Sequence, residues 1–210
     1  MAGTITALMR QKNDQERASV YLDGQFAFGV TLDAALNLKK GQYLDDETIA
    51  RLMFNDGIDQ AYRSALRYLS YRPRTQQEIR RYLQGKDISE EIVGFVLERL
   101  VDQKYLNDLE FSHAWVEHRT LHNPKGRRAL HYELQQKGLA KTDIDQALND
   151  LDEESLAWQA VMNRLPQWQG LDEWTLRKKL TGYLGRRGFD YETIDIIFNK
   201  VWREQQNEDD

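Results

Sequence analysis

Twelve cationic side chains stand where they could grip phosphate or carboxylate groups. Arg72 and Arg74 flank Pro73, and Arg80 and Arg81 follow closely. Lys125, Arg127 and Arg128 form a second group. Arg177, Lys178 and Lys179, with Arg186 and Arg187, form a third. Cations at a helix start add to the partial positive charge of its unpaired amides, which suits phosphate or an acidic protein surface. A solvated helix face accounts for any one of them. Their recurrence at the same helix of three repeated units makes the set a candidate interface for DNA or for an acidic partner.

Other chemistries find less support. His118 and His122 are spaced i, i+4, with His113 and Glu117 nearby, and such a face can ligate zinc. A third ligand at conventional spacing is missing, and histidines near a helix C-terminus are favoured by its dipole. Asp45-Asp46-Glu47 and Asp152-Glu153-Glu154 could hold Mg²⁺, but both lie where a helix start wants carboxylates, so capping is the expectation. No phosphate-cradling glycine loop, nucleophile elbow or HExxH is present. The chain is expected to be non-enzymatic, with no metal and no cofactor. Of its five tryptophans, Trp115 and Trp158 lie on apolar faces and are expected in the core. Trp168 and Trp174 flank Gln169-Gly170-Leu171 and are expected to seal that loop.

The elements that must position the cations repeat along the chain. Leu130, Leu134, Leu139, Ile144 and Leu148 form a ladder with offsets of 0, 4, 9, 14 and 18. Leu180, Leu184, Phe189, Ile194 and Phe198 repeat it with the same offsets. Ile79, Leu83, Ile88, Ile92 and Val96 give a version one residue short, at 0, 4, 9, 13 and 17. Regular recurrence of this kind marks a repeat array in which each unit buries its face against itself and its neighbours. Thr75-Gln-Gln-Glu78 is a capping box, Ser89 opens the next helix, and Asn107-Asp-Leu-Glu110 is a second box-like start carrying Phe111, Ala114 and Trp115 on one face. Gly138 and Gly188 each end a middle helix. The third unit is expected to have helices over 152–165, 172–184 and 190–205, with a fraying charged tail over 207–210.

The first residues differ. Thr4 to Arg10, Ala18 to Leu22 and Gln25 to Val30 alternate like strands, and Asp23-Gly24 between the last two predicts a hairpin with a type I′ turn. A short helix over 31–38 and a second from Asp45 to about Asn55-Asp56-Gly57 complete a small module. The expected fold is mainly α: three tandem three-helix repeats forming an elongated curved array, behind this hairpin-plus-helices module. The domains fall at 1–57, 58–104, 105–151 and 152–210.

Composition sets further bounds. There is no cysteine, which excludes disulfides and thiolate metal sites. The first residues lack the layout of a secretion signal, and no apolar run approaches membrane-spanning length. A monomer in the cytoplasm is the expectation. Net charge is −5 overall. The four segments carry 6 − 8 = −2, 9 − 7 = +2, 6 − 7 = −1 and 8 − 12 = −4. An acidic total argues against dominant non-specific DNA binding, which draws its strength from phosphate neutralisation.

The three-repeat order, with Glu78-Ile79 to Leu83, Gly126-Arg127 to Leu134 and the ending Arg186-Arg187-Gly188-Phe189-Asp190-Tyr191 to Ile194, resembles the bacterial RecX family. The segment from Val20 to Gly29 resembles the extension of its longer members. The resemblance spans nearly the whole chain. It implies a non-catalytic regulator that binds the RecA filament on single-stranded DNA, lies in the filament groove, and lowers strand exchange, ATP hydrolysis and coprotease activity. The other reading is a tandem helix-turn-helix-like array that binds nucleic acid directly.

Overall fold

The computed structural model describes residues 2–208, except for the side chains of 207 and 208. The charged tail expected to fray at 207–210 lies largely outside the described residues. The chain forms two compact units, Met1–Pro73 with Ile79–Leu106 and Arg74–Glu78 with Asn107–Asp210. No helix among the described residues is long and apolar enough to cross a membrane.

The first unit opens with β1 (Gly3–Arg10), β2 (Arg17–Leu22) and β3 (Gln25–Thr31), all antiparallel. Asp23 and Gly24 both take positive φ, at 49° and 87°, as a type I′ turn requires. Ala18, Val20 and Leu22 alternate inward and pair with β3, where Phe28 and Val30 face the same core. The sheet has a fourth strand that the sequence reading lacks, β4 (Tyr43–Leu44), giving the order β3-β2-β1-β4. Two residues are too few to show a period. Pairing with Gly3 and Thr4 fixes β4 in place, aided by hydrogen bonds linking Ile5 to Gln42 and Gly41.

Helix α1 (Leu32–Leu36) is capped by Thr31, and α2 (Asp46–Leu69) by Asp45, whose carboxylate accepts the Thr48 amide at 2.8 Å. Here the structure corrects a boundary: α2 does not end at Asn55-Asp56-Gly57 but continues to Leu69, 24 residues in all. Asp56 is buried, held in a bidentate pair with Arg17 of β2 at 2.8 Å and 2.8 Å, and accepts from Gln60 at 2.6 Å. Its carboxylate is tied to partners across the fold, so it does not turn back on its own backbone as it would in a stop signal. A Cβ on Gly57 would lie 3.0 Å from Ile92 Cδ1. Glycine costs about 1 kcal/mol in mid-helix, and here it leaves room for the tip of Ile92. Position 57 is therefore no break between elements.

Each repeat supplies three helices: the second half of α2 with α3 (Gln76–Gln84) and α4 (Glu90–Asp102); α5 (Asp108–His122), α6 (Arg127–Gln136) and α7 (Lys141–Ala147); α8 (Glu153–Met162), α9 (Glu173–Arg186) and α10 (Tyr191–Glu208). A 3₁₀ turn at Leu165–Gln167 follows α8, so that helix ends before the expected 165. The Thr75–Glu78 box forms with both bonds at 3.2 Å. Ala114 is exposed, and Ser112 and Val116 are buried in its stead beside the half-buried Phe111 and Trp115.

The ladders of the second and third repeats are buried in full. The ladder of the first is not one residue short. Val93 and Leu97, at offsets 14 and 18 from Ile79, are 0% and 4% exposed; of the expected members Val96 is buried as well, whereas Ile88 and Ile92 are only partly buried. The turn shares this register. Eight residues after the first anchor stand Asp87, Gly138 and Gly188, with φ of 59°, 79° and 83°. In each case the carbonyl at offset 4 (Leu83, Leu134, Leu184) accepts the amides at offsets 7 and 9, at 2.9–3.3 Å. The left-handed residue of the first repeat is an aspartate and not a glycine, so the sequence does not mark this turn as it marks the other two; aspartate is one of the few side chains that tolerate that conformation.

A second regularity lies within the second unit. The residue four before the first anchor opens the middle helix and meets the turn of the following repeat. The Thr75 hydroxyl donates to Lys137 O at 2.8 Å, and the Gly126 amide donates to Arg187 O at 3.0 Å. These are close backbone approaches. A Cβ on Gly126 would fall 2.5 Å from Gly188 O, one on Gly188 2.4 Å from Ala129 N, and one on Gly138 2.4 Å from Gln77 Cγ.

Candidate functional site

The three cationic groups meet different surroundings. In the second, the Lys125 ammonium pairs with Glu133, which also accepts from Arg119 Nε at 2.8 Å and Trp115 Nε1 at 2.9 Å. Burial pushes the Glu133 carboxyl up, but its bonds to Lys125, Trp115 and Arg119 outweigh burial and hold it below the ordinary glutamate value. Arg127 meets Glu153: its backbone amide donates to Oε1 at 2.9 Å and its Nε to Oε2 at 3.3 Å. Gly126 offers α6 no capping side chain, so Glu153 supplies the anion that this helix N-terminus attracts. Arg128 is exposed.

In the first group Arg80 pairs with Glu90, the Arg72 guanidinium donates to Pro73 O at 2.9 Å, Arg74 is half-buried and Arg81 is exposed. In the third, Arg177 bonds Asp195 at 2.7 Å and lies 4.0 Å above the Phe198 ring. The Asp195 bond holds its guanidinium above even the usual arginine value. Arg187 donates to Asn123 Oδ1 at 2.6 Å and Pro124 O at 3.1 Å, and its guanidinium lies 4.7 Å from the Tyr183 ring. Lys178, Lys179 and Arg186 are exposed. The twelve cations thus divide. Arg80, Lys125, Arg127, Arg177 and Arg187 brace the fold, Arg81, Arg128, Lys178, Lys179 and Arg186 present charge to solvent, and Arg72 and Arg74, one exposed and one half-buried, flank Pro73 between them.

The tryptophans divide in the same way. Trp115 and Trp158 pack against the cores of their repeats. Trp168 is buried and seals its loop as expected, but Trp174 does not: it is 69% exposed. It lies on the side of α9 away from Leu176, Leu180 and Leu184, which are all fully buried. Two residues unmarked by the sequence reading, Arg164 and Tyr183, join Trp174, Lys178, Lys179 and Arg186 around one open hollow. Part of this was legible, because Trp174, Lys178, Gly182 and Arg186 recur every four residues and so share a helix face. Arg164 comes from the turn after α8, and no local pattern marks it.

The His118 and His122 rings lie 4.8 Å apart. Among the described residues no three His, Asp or Glu side chains are arranged to hold a metal ion. Asp152 accepts the Ser155 amide at 3.0 Å, so it caps α8 as Asp45 caps α2.

Comparison with known proteins agrees along the chain. The regulatory protein RecX N-terminal domain matches residues 3–45, and the first, second and third three-helix domains of RecX match 61–100, 107–148 and 152–198. A regulatory protein RecX from Bacillus pumilus is 35% identical, over 97% of this chain and 80% of the relative. One from Bacillus subtilis is 33% identical, over 98% of this chain and 79% of the relative. A crystal structure of regulatory protein RecX superposes with a TM-score of 0.78 at 29% identity, covering 94% of this chain and 99% of that one. A crystal structure of RecX from Lactobacillus salivarius, 24% identical, covers 72% of this chain and 98% of its own with a TM-score of 0.64, and so shares the fold. With the strand module, the three-helix repeats and their shared turn all accounted for, the chain belongs to the RecX family of regulatory proteins.

Proposed function

We propose that this chain is a non-catalytic regulator of the RecA recombinase. It binds the RecA–single-stranded DNA filament along its groove and lowers strand exchange, ATP hydrolysis and coprotease activity. The observation that supports this most is the match to regulatory RecX proteins over nearly the full length of the chain, with all four parts in order. The residues assigned to the interface are the cations that face solvent on the middle helices: Arg81 on α3, Arg128 on α6, and Lys178, Lys179 and Arg186 on α9. A repeat array suits a periodic partner, because several weak contacts made together give an affinity that none gives alone. The second reading, direct binding of nucleic acid by the repeats, draws on the exposed Trp174 beside Lys178.

One titration separates the two. RecA's single-stranded-DNA-dependent ATPase is followed at two salt concentrations while this protein is added, and its binding to the same DNA is measured without RecA. Inhibition at concentrations well below those that coat bare DNA is the expected result. Inhibition that appears only as bare DNA is covered, and disappears with salt, would replace the filament reading with the direct one.

A further inference from the structure

The hollow on α9 combines features that folding does not require. Trp174 is 69% exposed and Lys178 Nζ lies 4.8 Å from its ring. With Lys179, Arg186, Arg164 and Tyr183 they line an open cavity of about 650 Å³ that has no carboxylate among its lining residues. Other hollows differ: one is bordered by Glu16, Asp33 and Asp59, another by Asp150 and Asp152. The wall is fixed. Tyr183 donates to Ala160 O at 3.0 Å and meets the buried Trp168 edge-on at 5.6 Å. Gly182 leaves the centre of the face without a side chain, since a Cβ there would touch only the tip of Arg186 at 3.4 Å.

We propose that this hollow is a subsite for single-stranded nucleic acid, with a base stacked on Trp174 and the adjoining phosphates held by Lys178, Lys179 and Arg186. The cations alone would suit any acidic partner. The exposed indole narrows the choice, because stacking needs a flat π-face free to approach, which an unpaired base offers and a duplex does not. Arg177 and Arg187 are outside the site, being spent on Asp195 and on Asn123. The assignment rests on the reading of the chain as acting on RecA–single-stranded DNA filaments, and its test omits RecA so that the two can fail separately.

The experiment is fluorescence anisotropy of the full chain with a labelled oligothymidylate of about twelve nucleotides, within the site size of single-strand binders. Trp174→Ala should weaken binding about tenfold with an unchanged thermal melt, and Trp174→Phe should restore most of the loss. Lys178→Ala and Lys179→Ala should each lower the slope of log affinity against log salt by about 0.7, whereas Trp174→Ala should leave it unaltered. Wild-type affinity in Trp174→Ala overturns the subsite, as does a preference for duplex of the same length. Competition by polyglutamate that Trp174→Ala does not affect would assign the hollow to an acidic protein instead. Oligothymidylate binding without inhibition of the RecA ATPase would sink the filament reading and leave the subsite standing. Inhibition by a Trp174→Ala protein that no longer binds the oligothymidylate keeps the subsite and moves filament binding to other residues.

Discussion

The cation groups of the second and third repeats look alike in sequence and differ in what surrounds them. Lys125 and Arg127 sit at the start of α6, where Glu133 and Glu153 bind them and Gly126 is pressed against Gly188. Lys178, Lys179 and Arg186 sit on the body of α9, beside an exposed tryptophan, in a hollow that no carboxylate lines. A basic helix start inside a repeat array is where one unit meets the next, so its charge tends to be neutralised internally. A basic stripe on the outer face of a middle helix has no such neighbour.

The largest effect expected from breaking this comparison is at Glu133. Glu133→Ala removes the acceptor of Lys125, Arg119 and Trp115 and should lower stability by about 2 kcal/mol in urea unfolding. The pH dependence has a definite sign. The folded carboxyl lies below its ordinary value, so its contribution is fully present above the unfolded glutamate value and is lost as pH falls through the folded one. The gap between wild type and Glu133→Gln should therefore narrow on acidification. A constant gap would show that lost packing, and not charge, is responsible.

Next comes a matched pair of reversals. Arg127→Glu faces Glu153 and should cost about 1–2 kcal/mol, while Lys179→Glu should change stability by less than about 0.5 kcal/mol. The functional order should be the opposite, with Lys179→Glu weakening filament inhibition in the folded protein. Equal inhibition by folded reversal variants of Arg81, Arg128, Lys178, Lys179 and Arg186 would discard the interface.

A last pair of substitutions applies the same test to the shared turn. Asp87→Gly relieves a left-handed aspartate and should add up to about 1 kcal/mol. Gly138→Ala, with its Cβ 2.4 Å from Gln77 Cγ at φ +79°, should cost about 1–3 kcal/mol. Thermal melts in which the two changes have the same sign would contradict the common register.

Legibility followed locality. The Asp23-Gly24 hairpin, the Thr75–Glu78 box and the buried ladders of the second and third repeats were readable, because each depends on residues close in the chain. The end placed at Asn55-Asp56-Gly57 failed because Asp56 answers to Arg17, 39 residues away. The short ladder of the first repeat failed because Ile92, Val93, Val96 and Leu97 are all apolar, and only packing shows that Val93 and Leu97 stand at the offsets shared with the other repeats. Trp174 was expected to seal a loop, yet neighbours in sequence do not reveal that Trp168 alone fills that space.

By itself, then, the sequence determined three three-helix repeats behind a β module, since apolar period, caps and turn residues act within a few positions of each other. Tertiary structure alone decided which of the twelve cations brace the fold and which face solvent. That outcome depends on where Glu133, Glu153 and Asp195 come to lie: Glu133 is reached by the chain turning into α6, and the carboxylates 26 and 18 residues away are brought to Arg127 and Arg177 only by the packing of one helix on another.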